Sequence, residues 1–312
     1  MLSLTQVNAF GWPNSYRLAN PHIELVVTTD IGPRLVRFGA VGGPNLLGLD
    51  PALQGQTGGD AWQPYGGHRL WQAPETLLTT YAPDNAPAKL EQLGDRVRVT
   101  GPVEPTTGLQ KVLDLQLAPD APRLEITHRI HNHSRWPLRL APWALTVVAP
   151  GGTAVLALAP RRPHGPDTLV PDGQLTLWPY TDLADPRWTW GPRYLLARQD
   201  PAQAAFQKIG LAPARAVDAW LAYVLNGQAL VKAMDWDPRA EYPDRNTPLQ
   251  IFVNASILEL ETLGPLADVP PDGCVEHGER WLLLDGIPAL RGDADVAAHL
   301  APRVEAWLGA GT

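Results

Sequence analysis

Apolar and polar residues alternate along much of this chain with a period of two, the spacing of strands that bury one face. In residues 109–117, Val112, Asp114 and Gln116 alternate with Leu113, Leu115 and Leu117. The same pattern over 96–100 and 123–131 predicts antiparallel strands, and 22–29 and 34–38 read as two more around Asp30-Ile31-Gly32-Pro33, a turn by composition. Residues 45–49 are expected to continue the sheet, and 50–63, rich in Gly, Gln and Pro, to form a loop. A polar turn at 132–135 leads into a longer apolar run over 137–148, interrupted by Pro142, and 154–159 follows Gly151-Gly152. Further strands are predicted over 219–225, 229–236, 249–253, 257–263 and 275–284. Between the two runs, 161–193 is proline-rich and holds Trp178, Trp188 and Trp190, which predicts a long rim loop of the kind that often carries function. The period changes only near the end. Val296, Leu300, Val304 and Leu308 recur every four residues beside Ala297 and Ala301, predicting a helix over 293–308 that Pro302 should kink or divide.

Many strands and one terminal helix predict a mostly β chain folded as a large antiparallel sandwich. No fixed-period repeat or linker composition marks a boundary, so a single domain over 1–312 is expected. Composition narrows the function. With 45% hydrophobic and 18% charged residues the chain can bury a sizeable core, and a net charge of −7 offers no basic field for nucleic acid or anionic lipid. The 33 prolines and 28 glycines are spread throughout, as turns between short strands would be. Twelve tryptophans against four phenylalanines suit sugar-binding surfaces as well as cores. Cys274 is the only cysteine, which leaves no intrachain disulfide and no cysteine metal cluster; neither a metal nor another cofactor is expected. Residues 1–10 lack the basic start and apolar core of a signal peptide, and no apolar run approaches a membrane span, so a cytoplasmic protein is the expectation.

The densest chemistry lies in residues 65–75, where Gly66, Gly67, His68, Arg69, Trp71 and Glu75 fall within one short run. Glycines allow a turn or a close approach to a ligand. An indole beside polar groups suits a sugar, whose C–H faces stack while its hydroxyls need partners. Equally, the run fits a Gly-Gly turn before an edge strand with Trp71 in the core. On the strand 34–38, Arg34 and Arg37 fall on opposite faces, and Arg34, at the mouth of the turn, is the one favoured to reach a pocket.

Four stretches resemble the galactose mutarotase-like superfamily, the β-supersandwich fold of aldose 1-epimerases and hexose-6-phosphate epimerases. They are Asp30-Ile31-Gly32-Pro33-Arg34-Leu35; Gly66-Gly67-His68-Arg69-Leu70-Trp71 with Pro74-Glu75; Lys232 with Tyr242-Pro243-Asp244; and 258–265 followed by Pro270-Pro271-Asp272-Gly273 and Glu279-Arg280-Trp281. The resemblance implies a galactose mutarotase-like β-supersandwich with a short C-terminal helix, acting on a sugar or sugar phosphate. It places the catalytic base at Glu261, with Glu259 on the same strand face. Where these epimerases carry a histidine before an aromatic pair, this chain has Ala141-Pro142-Trp143, so the acid must come from elsewhere. His68 is the expected acid, with Lys232 as a second candidate if burial lowers its pKa. Arg34, Arg69, Trp71, Glu75, Lys232 and Glu259 are the expected sugar or phosphate contacts. Plainer roles exist for each: Glu261 paired with Arg280, Lys232 on the surface, and His128 and His131 as strand residues rather than metal ligands. The function implied is an aldose or sugar-phosphate 1-epimerase. The alternatives are a non-catalytic sugar-binding protein, and a glycosidase or lyase using Glu75 and Glu261 as a carboxylate pair.

Overall fold

A computed structural model describes residues 3–309. Two antiparallel sheets pack face to face. Across the first, of 11 strands, the order is Ser3–Ala9, Trp12–Ala19, Ile23–Thr28, Arg34–Ala40, His68–Ala73, Leu138–Val147, Leu258–Leu263, Leu249–Val253, Gln207–Ala212 and Gln174–Leu177, with Ala267–Val269 also beside Leu138–Val147. Across the second, of 10 strands, it is Trp188–Trp190, Tyr194–Ala197, Thr153–Ala157, Trp220–Leu225, Gln228–Met234, Cys274–Asp285, Arg123–Asn132, Leu109–Leu117, Arg96–Val103 and Lys89–Leu93.

The inner faces of the sheets share their cores. Leu25 and Phe38 of the first pack with Leu113 and Trp281 of the second, and the Phe38 and Trp281 rings meet edge to face at 5.1 Å. Farther along, Ile209 and Leu260 meet Leu156 and Leu221. The terminal helical segment covers part of the second sheet's outer face, setting Val296, Leu300, Val304 and Leu308 against Val155, Leu196, Ala222 and Val231. Strands beneath it are therefore apolar on both faces and do not alternate.

Both awkward prolines are accommodated by their surroundings. Pro142 lies in a central strand, but its neighbour on one side changes there, from Ala267–Val269 to Leu258–Leu263, so the missing N–H falls at the gap between two partners. Pro302 does not divide the terminal helix. The widened π turn Val296–Leu300 comes just before it and leads into the α-helix Ala301–Gly309, absorbing the lost hydrogen bond and the ring's bulk.

Most expected strands form, within a residue or two of their expected bounds. Residues 45–49 do not form a strand; they make only isolated bridges, Leu47 to Val148 and Leu49 to Gly66. The rim loop over 161–193 contains two short strands, Gln174–Leu177 and Trp188–Trp190. Six strands went unanticipated: Ser3–Ala9, Trp12–Ala19, Lys89–Leu93, Tyr194–Ala197, Gln207–Ala212 and Ala267–Val269. Ser3–Ala9 and Lys89–Leu93 are sheet edges with much of their length exposed, so little alternation is imposed on them. No helix among the described residues is long and apolar enough to cross a membrane.

Candidate functional site

The centre of the first sheet decides which side chains meet. On its outer face, Arg69, Leu145 and Glu261 stand opposite one another on adjacent strands, and Val147, Glu259, Phe252 and Lys208 form the next row. The charged groups pair diagonally between these rows. Arg69 Nη1 donates to Glu259 Oε1 at 2.9 Å, and Lys208 Nζ to Glu261 Oε2 at 2.8 Å. A hollow of about 430 Å³ opens over them, and its lining includes Trp62, Trp71, Glu75, Tyr81, Trp143 and Tyr180.

Indoles frame both cations. Lys208 Nζ lies 4.5 Å from the ring centre of Trp143 and 4.8 Å from that of Trp178. Arg69 Cζ lies 4.6 Å from that of Trp71. These are cation–π distances, which hold the charges in place with their pairing carboxylates. Trp143 Nε1 also donates to Glu261 Oε2 at 2.8 Å, while Glu261 Oε1 accepts no hydrogen bond among the described residues. Burial pushes the Glu261 carboxyl up, Lys208 opposes it and Glu259 adds to it, leaving a value of about 7. Tyr81 Oη donates to Glu75 Oε1 at 2.6 Å on one wall of the hollow.

Glu261, Glu259, Arg69, Trp71 and Glu75 thus line one hollow. Three other expected site residues do not, and each is a correction. His68 alternates with Arg69 and Trp71, so it points to the opposite face, into the interior between the sheets, where it is fully buried. It does not share the hollow with Glu261. Lys232 is also fully buried there, as the ion-pair partner of Glu279 at 3.0 Å. Arg34 stands opposite Arg69 but one strand farther out, covered by the protein. Its guanidinium is bonded to Asp84 and the Gly66 carbonyl, and it lies over Tyr65, so it ties down the 65–67 turn. The two glycines serve the same packing. A Cβ on Gly66 or Gly67 would lie 2.2 Å from the Gly48 or Leu35 carbonyl oxygen, so the close approach is to neighbouring backbone, not to a ligand. Glu261 pairs with Lys208; Arg280, the plainer partner, bonds Asp235 at 3.2 Å.

The interior histidines belong to a continuous hydrogen-bond chain. His128 Nδ1 faces the His277 carbonyl at 3.0 Å and so carries a proton, leaving its Nε2 to accept from His68 Nε2 at 2.8 Å. His68 Nδ1 then accepts from Thr146 Oγ1 at 2.9 Å, and Thr146 Oγ1 accepts from Lys232 Nζ at 2.6 Å. Lys232 also reaches Glu279 and the Leu260 carbonyl, and Glu279 accepts from Thr262 and, at 2.7 Å, from Trp281 Nε1. His68 Nε2, His128 Nε2 and a Glu279 oxygen lie within 4.8 Å of one another, as metal ligands would. Each already has a protein partner, however, and the Lys232 ammonium beside them opposes a further cation. Burial lowers the pKa of His68, His128 and His277, the last to about 3. Burial acts to raise that of Glu279, but Lys232 and the imidazoles around it hold it well below the usual carboxylate range.

The residues that sequence reasoning missed are Lys208, Trp143 as the partner of Glu261, and the wall residues Trp62, Tyr81 and Tyr180. Lys208 had little signal: Ile209 and Leu211 share the strand face opposite to it, but Gln207 falls on that face too, and Gly210 stands where the next outward residue would be.

No protein-family model and no curated protein matches the sequence. Solved structures do match. A protein of Klebsiella pneumoniae, provisionally an aldose 1-epimerase, gives a TM-score of 0.57 at 13% identity over 99% of this chain and 86% of its own. A galactose mutarotase-like protein of Lactobacillus casei gives 0.55 at 9% identity over 86% of this chain and 99% of its own. A Synechocystis protein gives 0.55 at 13% identity, over 87% and 96%. At such identities the likeness is one of fold, and fold alone does not fix chemistry. With its two face-to-face antiparallel sheets and its likeness to these structures, this chain has the galactose mutarotase-like fold.

Proposed function

We propose that the hollow binds a reducing sugar and that the protein interconverts its anomers, as an aldose 1-epimerase does. The observation that carries this reading is the Glu261–Lys208 pair, 2.8 Å apart in a hollow walled by indoles. Ring opening needs a base at the anomeric hydroxyl and an acid at the ring oxygen, and both oxygens are bonded to one carbon. Base and acid must therefore be neighbours, as these two groups are. Glu261 Oε1 takes the anomeric proton, the bond from the anomeric carbon to the ring oxygen breaks, and Lys208 protonates that oxygen. Rotation about the next carbon–carbon bond and the reverse proton transfers close the ring on its other face. Lys208 takes the acid role expected of His68, which faces away.

The charge balance favours an unphosphorylated sugar. Arg69 and Lys208 are each already matched by a carboxylate, and Glu75 adds a further negative group to the lining. A non-catalytic sugar-binding protein is the second reading, favoured by the lack of any imidazole among the described residues lining the hollow.

Exchange NMR on freshly dissolved glucose, galactose, mannose and xylose separates the two. Catalysis predicts faster anomer exchange with wild type and a loss of about 100-fold or more in Glu261→Gln with sugar binding kept. Binding without acceleration by wild type would leave the sugar-binding reading in its place.

A further inference from the structure

The outer face of the first sheet continues past the catalytic pair. A second hollow, of about 530 Å³, adjoins the first and shares Pro64, Asn254 and Ile257 with it. Successive outward residues carry the floor from one to the other: Trp143 and Leu145 line the first hollow, and Val147, next on the same strand face, lines the second. On the adjacent strand Glu261 and Glu259 lead in the same way to Ile257. From Trp143 to Val148 the trough follows about 17 Å of extended chain, more than one hexose spans.

The compartments differ in chemistry. The first is aromatic and charged; the second has no cation and no aromatic ring in its lining. Its polar side chains are Asp50, Asn254 and Ser256. Asn254 Oδ1 accepts from the Ser256 and Ile257 amides and Asp50 Oδ1 from the Ala52 amide. Asn254 Nδ2, Asp50 Oδ2 and the Ser256 hydroxyl have no partner among the described residues, which leaves one donor, one acceptor and one group able to act as either. With no cation, the compartment is unsuited to a phosphate or carboxylate; it suits a neutral, hydroxylated group.

We infer that the ligand is a reducing oligosaccharide, with its terminal ring at Glu261 and the adjoining ring in the second hollow. This rests on the reading of the first hollow as an anomer-exchanging sugar site. That chemistry requires a free anomeric hydroxyl at Glu261, so the second ring is linked through another carbon of the first, and a blocked glycoside does not qualify.

Exchange NMR with glucose and galactose against maltose, maltotriose, cellobiose and lactose, all with free reducing ends, tests the inference. At least one oligosaccharide is expected to exceed its reducing-end monosaccharide, glucose, by about tenfold or more in kcat/KM. Ser256→Trp, which puts a large side chain at an exposed position of the second hollow, is expected to bring that ratio close to one. Equal rates for glucose and every oligosaccharide, or a ratio unchanged in Ser256→Trp, would overturn the second compartment and leave the first intact. If neither monosaccharides nor oligosaccharides bind or exchange faster, the sugar reading of the first hollow fails and takes this inference with it.

Discussion

Glu261 is nearly inaccessible to water, yet one of its oxygens remains open to the hollow. With its carboxyl at about 7, it carries a proton below neutrality and is free to accept one above. The kcat/KM for anomer exchange is therefore expected to fall about tenfold for each pH unit below ~7 and to level off above it. A profile flat from pH 5 to 8 would remove Glu261 from the base role. Lys208→Met is expected to lower kcat by about 100-fold with a smaller change in KM. It also removes the cation that holds Glu261 down, so the acid limb of the profile should move to higher pH. The resemblance over 258–265 pointed to Glu261 and Glu259, and the density of chemistry over 65–75 to Arg69, Trp71 and Glu75; all five line the hollow. His68 and Lys232 misled because alternation gives two faces without saying which is outer, and here the inner face is polar as well. In most sheets a run of charge and imidazole marks the solvent side.

At the scale of the element, Gln207–Ala212 was the costly omission. Its five-residue pairing with Leu249–Val253 is what carries Lys208 to Glu261. The strand is short, opens on two consecutive polar residues and is interrupted by Gly210, so it shows no alternation to mark it. The Thr247 side chain lies where a Cβ on Gly210 would be, 2.5 Å from Oγ1, so the glycine makes room for that neighbour. Lys232 ties two elements together, since it sits on Gln228–Met234 of one sheet and bonds Thr146 and Leu260 of the other. Lys232→Met would strand Glu279 as an unpaired buried charge, a loss expected to cost about 3–5 kcal/mol in urea denaturation. Lys232→Met with Glu279→Gln should cost less than the sum of the two single changes, because the pair is coupled. Additive losses, or a single-variant loss below about 1 kcal/mol, would mean the chain does not join the sheets energetically.

For the whole molecule, three buried imidazoles and one carboxylate between the sheets resist protonation. The unfolded chain takes up those protons more readily, so their contribution to stability is complete above the ordinary imidazole value of 6.5 and is lost as pH falls toward the His277 value of about 3. The Glu279 share is lost only below its ordinary value of 4.5. Glu261 works the other way, favouring the folded state as pH falls from about 7 to 4.5, but it is one group against three. The thermal midpoint is expected to be level above about pH 7, to decline below pH 6 and to decline faster below 4.5. A midpoint unchanged between pH 7 and 4 would show that the interior imidazoles are protonated in the native state. The same molecule also carries an optical gauge of its own occupancy. Trp62, Trp71 and Trp143 line the first hollow, and Trp178 stands by Lys208. Whatever displaces water there alters the polarity around several indoles at once, so the emission spectrum of the unlabelled protein can rank candidate sugars before any assay of turnover is built.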